Sequence, residues 1–351
     1  MAGIGEVAKA AGVSPAVVSR VVNGDTTLRI APSTRERVLH AVSELQYVPL
    51  HAARALRLNI PSTVTVVIPD TTSAIYSDLL HGIETAAMER DLVMVLASAD
   101  AAVKRPDWIR RLAGEGRSDG IIIQPPVAMT RRDVESLATL RVPTVAILSG
   151  DASWPVPTAV LDDEAAAAAA VEHLVAFGHR RIGLIGGVRD FPSADRRRRG
   201  FEEAVQRRGL PREPAWMTDF GYLSEDGRLA ARRIWSTANR PTAVVVANVN
   251  AALGVLAELH ELGAQLPQDL SVVAIHDVWY ADTVWPPLNT VQTPMAALGS
   301  AAVGMLFNGI QESPSHIRVV DPPPKVIVRA SVARLDETAT VPEEAGMRHL
   351  G

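Results

Sequence analysis

The sequence predicts an α/β protein with a small all-α head at its N-terminus and a larger, two-lobed, doubly wound body. The head is indicated by short apolar stripes at helical spacing within the first 60 residues. The body is indicated by hydrophobic strand-like runs that alternate with helical patterns over residues 62–335. The length of 351 residues supports this division, because it exceeds what one hydrophobic core usually organises.

Composition excludes several classes of protein. The chain is 47% hydrophobic and 21% charged, which is typical of a globular protein rather than a disordered one. It has no cysteine, which excludes disulfides, thiolate catalysis and cysteine-based zinc sites. No apolar run reaches the roughly 18 residues that span a bilayer, and residues 1–9 lack the apolar core of a secretion signal. We therefore expect a cytoplasmic protein with no membrane partner.

Charge is distributed unevenly along the chain. Residues 1–60 contain seven basic and four acidic side chains, a net charge of +3, whereas the whole chain has a net charge of −4. A basic segment attached to an acidic body is typical of a head that binds a polyanion such as nucleic acid.

Three helices are predicted in the head. Apolar residues recur at i, i+3, i+4 and i+7 from Ile4, and Gly12 is the residue type that most easily ends a helix in the left-handed conformation. Ser14 is a good N-cap and Pro15 suits the first helical position, so a second helix begins here. A third helix over residues 32–46 braces the pair. Two short helices joined by a tight turn form a helix-turn-helix, whose second helix would lie in the DNA major groove.

The polar side chains of the second helix suit DNA. Arg20 can donate to the paired acceptors of a guanine, whereas Ser19 and Asn23 suit contacts to phosphate. Helical spacing by itself also permits a generic helical bundle with an incidental surface arginine.

A longer pattern distinguishes these alternatives. Residues 7–24 (VAKAAGVSPAVVSRVVNG) and 34–38 (TRERV) closely resemble the head of the lactose-repressor (LacI/GalR) family of transcription regulators. The resemblance implies that Pro15 and Ala16 occupy base-reading positions and that Arg20 also reads a base. Since Pro15 and Ala16 carry no side-chain hydrogen-bonding group, discrimination there would rest on apolar contacts, for example with thymine methyl groups.

Three features of the head depart from the family pattern. Gly3 stands where a capping Thr is usual, Val17 replaces a common phosphate-binding Thr, and the loop over residues 25–31 is longer than typical. The complete set of DNA-facing residues predicted in the head is Ser14, Pro15, Ala16, Val17, Ser19, Arg20 and Asn23.

Residues 48–61 are predicted to form a hinge between head and body. Residues 47–57 contain the Pro, followed by Ala-Arg-x-Leu, of the family's hinge helix. A helix of about eight residues is marginal by itself, so its folding would need DNA and a partner hinge. The resemblance implies that Ala53 and Leu56 belong to the DNA-binding set, with Leu56 inserted between base steps of the minor groove. A plain linker with an amphipathic turn is the alternative.

Hydrophobic strands in the body alternate with helices, which indicates parallel sheets covered on both faces. Strands are predicted over residues 64–68, 92–96, 120–123, 144–148, 181–185, 243–247 and 271–275. Helices are predicted over residues 76–90, 164–177, 194–208, 224–236 and 251–262. Residues 149–159, rich in proline and polar side chains, are interpreted as a crossover between two lobes, which would hold a ligand in the cleft between them.

Motifs spaced along the body resemble the periplasmic-binding-protein-like sensor domain of the same family, among them residues 67–70 (VIPD) and 178–182 (GHRRI). The resemblance implies that Arg197 binds a small-molecule effector. Tyr222 would cover that ligand, with Phe220 as the alternative after a small shift. The residues beside Arg197 are interpreted as a solvated basic helix face, namely Arg196, Arg198 and Arg199.

Two further effector positions follow from the resemblance. Asn248 matches the residue that begins a cleft-facing helix. Asp162 matches an acidic position at which a structural hydrogen bond is as reasonable as a ligand contact.

Other cleft positions break the family pattern. Tyr76 ends a run, residues 73–76, that differs from the usual Asn-Pro-Phe, and Ser149 stands where an acid is frequent. His276 occupies the first of two paired Asp positions. Loss of acidic side chains around Arg197 favours an effector that is anionic or less polyhydroxylated than a simple sugar. An idiosyncratic sugar-binding cleft is the alternative.

Patterns for other chemistry are missing. The sequence contains no P-loop, no G-x-S-x-G elbow and no H-E-x-x-H, and its nine histidines show no metal-ligand spacing. We therefore expect no catalytic residue, no metal and no cofactor, and a protein that is not an enzyme.

The predicted domains are a helix-turn-helix head (1–47), a hinge (48–61), an effector-binding and dimerisation body (62–335) and a polar tail (336–351) without leucine heptads. This organisation predicts an allosteric transcription repressor that binds a pseudo-palindromic operator in double-stranded DNA as a homodimer. This organisation fits an effector that releases the repressor from DNA and equally one that promotes its binding to DNA. A solute-binding protein and a two-lobed enzyme are the alternatives; the head argues against the first and the missing catalytic patterns against the second.

Overall fold

The computed structural model describes residues 2–47, 62–99, 108–113, 118–129, 131–308 and 315–335. Its contacts divide the chain into two units, Met1–Ser62 and Thr63–Gly351, which we call the head and the body. The predicted hinge with Ala53 and Leu56, and the predicted tail, lie outside the described residues.

The head consists of three helices, α1 (Ile4–Ala11), α2 (Pro15–Val22) and α3 (Pro32–Glu44). All three contribute buried side chains to one small core, namely Val7, Ala8, Ala11, Val18, Val21, Val38 and Ala41. Gly12 ends α1 with φ of 66°, a left-handed conformation that glycine adopts without strain. The helix-turn-helix prediction is thereby confirmed.

The caps of the first two helices differ. At α1, Gly3 has no side chain to offer, but its backbone N–H donates to the Glu6 carboxylate at 2.8 Å. At α2, the hydroxyl of Ser14 accepts a hydrogen bond from the Val17 backbone N–H at 3.4 Å. Helix α2 therefore begins after Ser14, the residue that the N-cap preference for serine predicts.

The first sheet of the body is entirely parallel. It contains β1 (Thr63–Ile68), β2 (Val93–Ser98), β3 (Gly120–Ile123), β4 (Thr144–Ile147), β5 (Thr158–Leu161) and β11 (His316–Val319). Their spatial order is β11-β5-β4-β3-β1-β2. We call this sheet and its helices lobe 1.

The second sheet is parallel except at one edge, where β12 (Lys325–Ile327) runs antiparallel to β10 (Asn289–Gln292). It contains β6 (Ile182–Ile185), β7 (Met217–Thr218), β8 (Ala243–Val246), β9 (Ser271–Ile275), β10 (Asn289–Gln292) and β12 (Lys325–Ile327). Their spatial order is β12-β10-β9-β8-β6-β7. We call this sheet and its helices lobe 2.

Helices cover the sheets, as the alternating pattern predicts. Lobe 1 has α4 (Ser77–Met88), α5 (Trp108–Ala113), α6 (Arg131–Ala138) and α11 (Met295–Phe307), whereas lobe 2 has α7 (Asp163–Ala176), α8 (Pro192–Arg207), α9 (Ser224–Trp235) and α10 (Val249–Glu261). Helices α9 and α10 approach closely at Gly227, where a Cβ atom would lie 1.9 Å from the Ala251 carbonyl oxygen. Among the described residues, no helix has both the length and the apolar character needed to cross a membrane.

The interpretation of residues 149–159 as a crossover is wrong. Strands β4 and β5 lie in the same sheet and pair with each other, so the loop between them stays in lobe 1. The chain passes to lobe 2 after β5, returns after β10, and passes again between β11 and β12. A proline-rich polar composition indicates a surface loop but does not tell which strands the loop joins.

Candidate functional site

The first turn of α2 is the exposed end of the head's second helix. Ser14, Pro15 and Ala16 are exposed, and Val17 is half-buried. Their helix is anchored on its opposite face by Val18 and Val21, which are buried in the head core. The N-terminal side chains of α2 are therefore free to meet a surface as broad as a DNA groove.

Polar side chains near the end of α2 are held by hydrogen bonds. The Asn23 amide nitrogen donates to the Ser19 carbonyl oxygen at 2.6 Å. Arg20 donates from Nε to Asp25 at 2.7 Å and from Nη2 to the Thr27 hydroxyl at 3.1 Å. Hydrogen bonds from Thr27 and Arg20 lower the pKa of Asp25. This end of α2 thus presents an ordered arginine rather than a freely rotating one.

A cavity of about 390 Å³ lies between the two lobes of the body. Its walls follow the carboxyl ends of parallel strands: Pro69 after β1, Gln124 after β3 and Leu148 after β4 in lobe 1, with Asn248 and His276 after β8 and β9 in lobe 2. Ligands of open α/β sheets bind at this edge. Five predicted effector residues line the cavity, namely Tyr76, Arg197, Tyr222, Asn248 and His276.

The floor of the cavity is built around Arg197, which is only 5% exposed. Its Nε donates to Asp163 at 2.8 Å, its Nη1 to the Ala247 carbonyl oxygen at 2.6 Å, and its Nη2 contacts Nε2 of His276 at 2.8 Å. Because a guanidinium can only donate, Nε2 of His276 must accept. The proton of His276 is then on Nδ1, 2.9 Å from the Thr293 hydroxyl.

His276 is consequently a neutral side chain. Burial and the positive charge of Arg197 both lower the pKa of His276 well below its ordinary value. Both ring nitrogens are engaged within the protein, so the ring contributes shape and an acceptor for Arg197 rather than a charge.

Arg196 is buried, and its interpretation as part of a solvated helix face is wrong. It is 5% exposed and donates to Asp163 at 2.9 Å, to the Leu148 carbonyl oxygen at 2.8 Å and to the Gly150 carbonyl oxygen at 3.0 Å. The first turns of α8 lie against the loop after β4, which covers Arg196. Arg196 thereby ties lobe 2 to lobe 1.

The other two arginines of this run are more accessible. Arg198 forms ion pairs with Asp219 and Glu202, and the half-exposed Arg199 pairs with Glu164 at 2.8 Å. Only these two fit the interpretation as a basic helix face. Since Arg196 and Arg197 share the single carboxylate of Asp163, the buried cluster has one excess positive charge.

Tyr222 and Asn248 complete the lobe 2 wall. The Tyr222 hydroxyl lies 3.2 Å from the Ser193 hydroxyl, and burial raises the pKa of Tyr222. Its ring meets Phe191 edge-on, with centroids 6.1 Å apart. Asn248 caps α10, because its Oδ1 accepts from the Ala251 backbone N–H at 2.8 Å. The cap uses the amide oxygen and not the amide nitrogen.

Two predicted effector residues lie outside the cavity lining. Asp162 caps α7 by accepting from the Ala165 backbone N–H at 3.1 Å, which is the structural hydrogen bond that the sequence left as an alternative. Ser149 is fully buried next to Leu148. Phe220, the alternative to Tyr222, lines the cavity together with it.

Sequence reasoning missed Asp163, Thr293, Ser193 and Phe191. Asp163 is the central acceptor for two arginines. In the sequence it belongs to an Asp-Asp-Glu run, and acidic residues in such a run are usual in the first turn of a helix. The presence of three successive acidic residues was the signal in the sequence that one of them has a partner other than the start of the helix. In the described part of the chain, no group of three or more His, Asp or Glu side chains is arranged to hold a metal ion.

Comparisons with known proteins agree with this organisation. Residues 3–49 match the model of bacterial regulatory proteins of the lacI family, and residues 171–332 match that of a periplasmic binding protein-like domain. The HTH-type transcriptional repressor PurR of Vibrio parahaemolyticus is 30% identical over 338 residues, which cover 96% of this chain and 100% of that protein.

Two solved structures extend the comparison. The crystal structure of a LacI family transcriptional regulator from Mycobacterium smegmatis is 33% identical, covers 77% of this chain and 99% of its own, and has a TM-score of 0.72. The lac repressor dimer bound to operator and the anti-inducer ONPF is 25% identical, covers 95% of this chain and 99% of its own, and has a TM-score of 0.80. This chain therefore belongs to the lacI family of bacterial regulatory proteins.

Proposed function

We propose that the protein is a transcription repressor that binds a pseudo-palindromic operator as a homodimer and is controlled by a small molecule held between the lobes of its body. The observation that carries this proposal is the pairing, in one chain, of an exposed α2 in a helix-turn-helix head with a polar and aromatic interlobe cavity. Relatives over nearly the full chain are named as transcription repressors rather than enzymes.

Operator recognition would use two kinds of contact from α2. Arg20 offers hydrogen-bond donors to a guanine edge, and the exposed Pro15 and Ala16 offer apolar surface to thymine methyl groups. Ser19 and Asn23, which lie one turn apart, suit the phosphate backbone that sets the position of the helix. The net positive charge of the first 60 residues supports attraction to any duplex before a specific one is found.

A second copy of the chain is the proposed partner of an apolar surface on lobe 1. Edge strand β2 exposes Val93 by 64%, Val95 by 44% and Leu96 by 40%, and Met88 at the end of α4 is 71% exposed. Exposed apolar edges favour association. A twofold pair would present two heads to two half-sites, and the related lac repressor was crystallised as a dimer on its operator.

The effector proposed for the cavity is a small acidic molecule or one with fewer hydroxyls than a simple sugar. The buried cluster has one excess positive charge, and Arg197 uses only one N–H on each Nη atom within the protein. The other N–H groups of Arg197 suit a carboxylate or phosphate. Aromatic rings from both lobes would cover the apolar part of such a ligand, namely Tyr76, Phe191, Phe220 and Tyr222.

Control would arise because the ligand touches both lobes. A molecule that binds the closed arrangement better than the open one shifts the population toward closure. The same shift changes the DNA affinity of the dimer, with a coupling of about 1–3 kcal/mol being usual.

A gel-shift experiment with genomic fragments tests the proposal. At moderate ionic strength, the full-length chain is expected to retard a small subset of fragments in the presence of excess random competitor DNA. Retardation of no fragment, together with ligand binding to the cavity, would instead indicate a solute-binding protein. Uniform retardation of all fragments would contradict sequence-specific operator binding.

A further inference from the structure

Asp25 lies just beyond α2 and forms a closed hydrogen-bonded ring with Arg20 and Thr27. Its Oδ2 accepts from Arg20 Nε at 2.7 Å, and its Oδ1 accepts from the Thr27 backbone N–H at 2.8 Å and from the Thr27 hydroxyl at 2.7 Å. The Thr27 oxygen in turn accepts from Arg20 Nη2 at 3.1 Å. One short turn therefore holds the guanidinium at two of its nitrogens.

The two hydrogen bonds that Arg20 donates, to Asp25 and to Thr27, engage one edge of its guanidinium and do not use the other edge. Arginine has a side edge, formed by Nε and Nη2, and an outer edge, formed by Nη1 and Nη2. The ring with Asp25 and Thr27 fills the side edge. The outer edge retains the N–H pair whose geometry matches O6 and N7 of a guanine.

We propose that Asp25, supported by Thr27, is a positioning residue for specificity, which orients Arg20 so that its outer edge faces a guanine in the major groove. The inference rests on the proposed DNA-binding function. An arginine held at two nitrogens loses less side-chain entropy on binding a base than a free one does, and it cannot turn its side edge toward other acceptors.

The charge of Asp25 gives this role a distinctive signature. A carboxylate close to the DNA surface repels phosphates, so its removal strengthens binding to every duplex. The same removal frees Arg20 and weakens discrimination between bases. A residue that merely stabilised the fold would weaken both kinds of binding together.

The test is selection of bound duplexes from a random double-stranded library by the full-length protein, followed by sequencing. The wild-type protein is compared with Asp25→Asn, which keeps an oxygen able to accept from the Thr27 backbone, and with Thr27→Val, which removes one bond to Arg20 but keeps the carboxylate. Arg20→Ala identifies the base pair that Arg20 reads. Thr26→Ala, at the exposed neighbouring threonine, is the matched control.

The wild-type protein and Thr26→Ala are expected to prefer guanine about tenfold or more at one position of each half-site, as a bidentate contact allows. Arg20→Ala should lose this preference. Asp25→Asn should reduce it at least threefold while it binds random-sequence DNA more tightly than the wild type. Thr27→Val should reduce the preference without tighter binding to random DNA.

Separate results would contradict separate statements. If Asp25→Asn and Thr27→Val keep the guanine preference that Arg20→Ala loses, the positioning role is wrong although DNA reading stands. If Arg20→Ala changes the preference at no position, Arg20 reads no base and the inference fails with it. If the wild-type protein enriches no sequence at all, the proposed function itself is contradicted.

Discussion

Arg197 donates from Nη2 to Nε2 of His276 across 2.8 Å at the buried floor of the interlobe cavity. This contact makes His276 a neutral acceptor. Within the buried cluster, Arg197 is paired with Asp163, which Arg196 shares. The buried floor thereby offers positive charge to a negative ligand, while the carboxylates of Asp70 and Asp226 also belong to the lining of the cavity.

Replacing His276 by Asp should offset this positive charge. A carboxylate beside Arg197 cancels the excess positive charge, so affinity for carboxylate- or phosphate-bearing metabolites is expected to fall at least tenfold, while binding of neutral sugars is maintained or gained. Isothermal titration calorimetry with matched panels of acids and neutral hexoses measures both. His81→Asp, the same substitution at an exposed position of α4, is the control. Strong binding of a neutral sugar and of no acid by the wild-type protein would contradict the proposed ligand class.

The buried carboxylate of Asp163 should be essential to stability. Asp163→Ala leaves Arg196 and Arg197 without their shared anion in a site where both are 5% exposed. Loss of one partner from a buried ion pair typically costs about 3–5 kcal/mol of unfolding free energy. Arg199→Ala, which breaks the exposed pair with Glu164, should cost less than about 1 kcal/mol. Urea unfolding followed by circular dichroism compares the two, and equal small losses would show that the cluster is not a structural centre.

Stability should decline as the pH falls below neutrality. Burial lowers the pKa of His179 to about 4 in the folded chain, and the pKa of His276 is also lowered. In the unfolded chain both histidines have the ordinary pKa of about 6.5. As the pH falls, the unfolded chain therefore binds protons at these two residues before the folded chain does. The contribution of the two neutral histidines to the free energy of unfolding is fully present above about pH 6.5 and is lost as the pH falls. For His179 the loss is about 2 kcal/mol by pH 5.

Urea unfolding at pH 7.5 and pH 5 measures this dependence. In His179→Gln the difference between the two pH values should shrink by about the amount assigned to His179. Gln206→Ala, at an exposed residue of α8 that does not titrate, is the control and should leave the difference unchanged. An undiminished difference in His179→Gln would show that His179 titrates normally.

Dimerisation should depend on the apolar edge of lobe 1. Leu96→Glu places a charge on β2 among residues that a second copy would bury, so the substituted chain is expected to sediment as a monomer at micromolar concentration. Its affinity for a two-half-site duplex should fall by more than tenfold, since one head then binds alone. Val320→Glu alters an exposed apolar residue after β11 and should remain dimeric. A dimeric Leu96→Glu protein would exclude this edge as the interface.

The fold was predictable wherever burial follows a local pattern. The head could be identified from residues 7–24 because a cap, a turn glycine and an apolar stripe coincide there. Several predicted strands, namely β3, β4, β8 and β9, are short, continuous apolar runs buried on both faces. Strand β2 was also predicted from an apolar run, but it is an exposed edge strand. Strands β10, β11 and β12 were missed because polar residues interrupt their apolar runs and prolines lie close to their ends. Strands β5 and β7 were missed because they are short, and β5 begins inside the segment interpreted as a crossover. Helix α11 was missed because its apolar residues surround the whole helix without a polar face.

The candidate site was only partly predictable, because its contacts join distant segments. Asp163 and Arg197 are 34 positions apart, and Arg197 and His276 are 79 apart. No local pattern distinguishes Arg196, which is buried, from Arg199, which is half-exposed, within one run of four arginines. Whether each of these arginines is buried or exposed depends on which loop of lobe 1 covers that turn of α8.

The central claim is that the head recognises a sequence. The most direct measurement is fluorescence anisotropy of the full-length protein at about 150 mM salt, with a duplex selected by the protein and a scrambled duplex of equal length. The account predicts an affinity about a thousandfold higher or more for the selected duplex, with most of that ratio lost in Arg20→Ala. Equal affinity for both duplexes would contradict it.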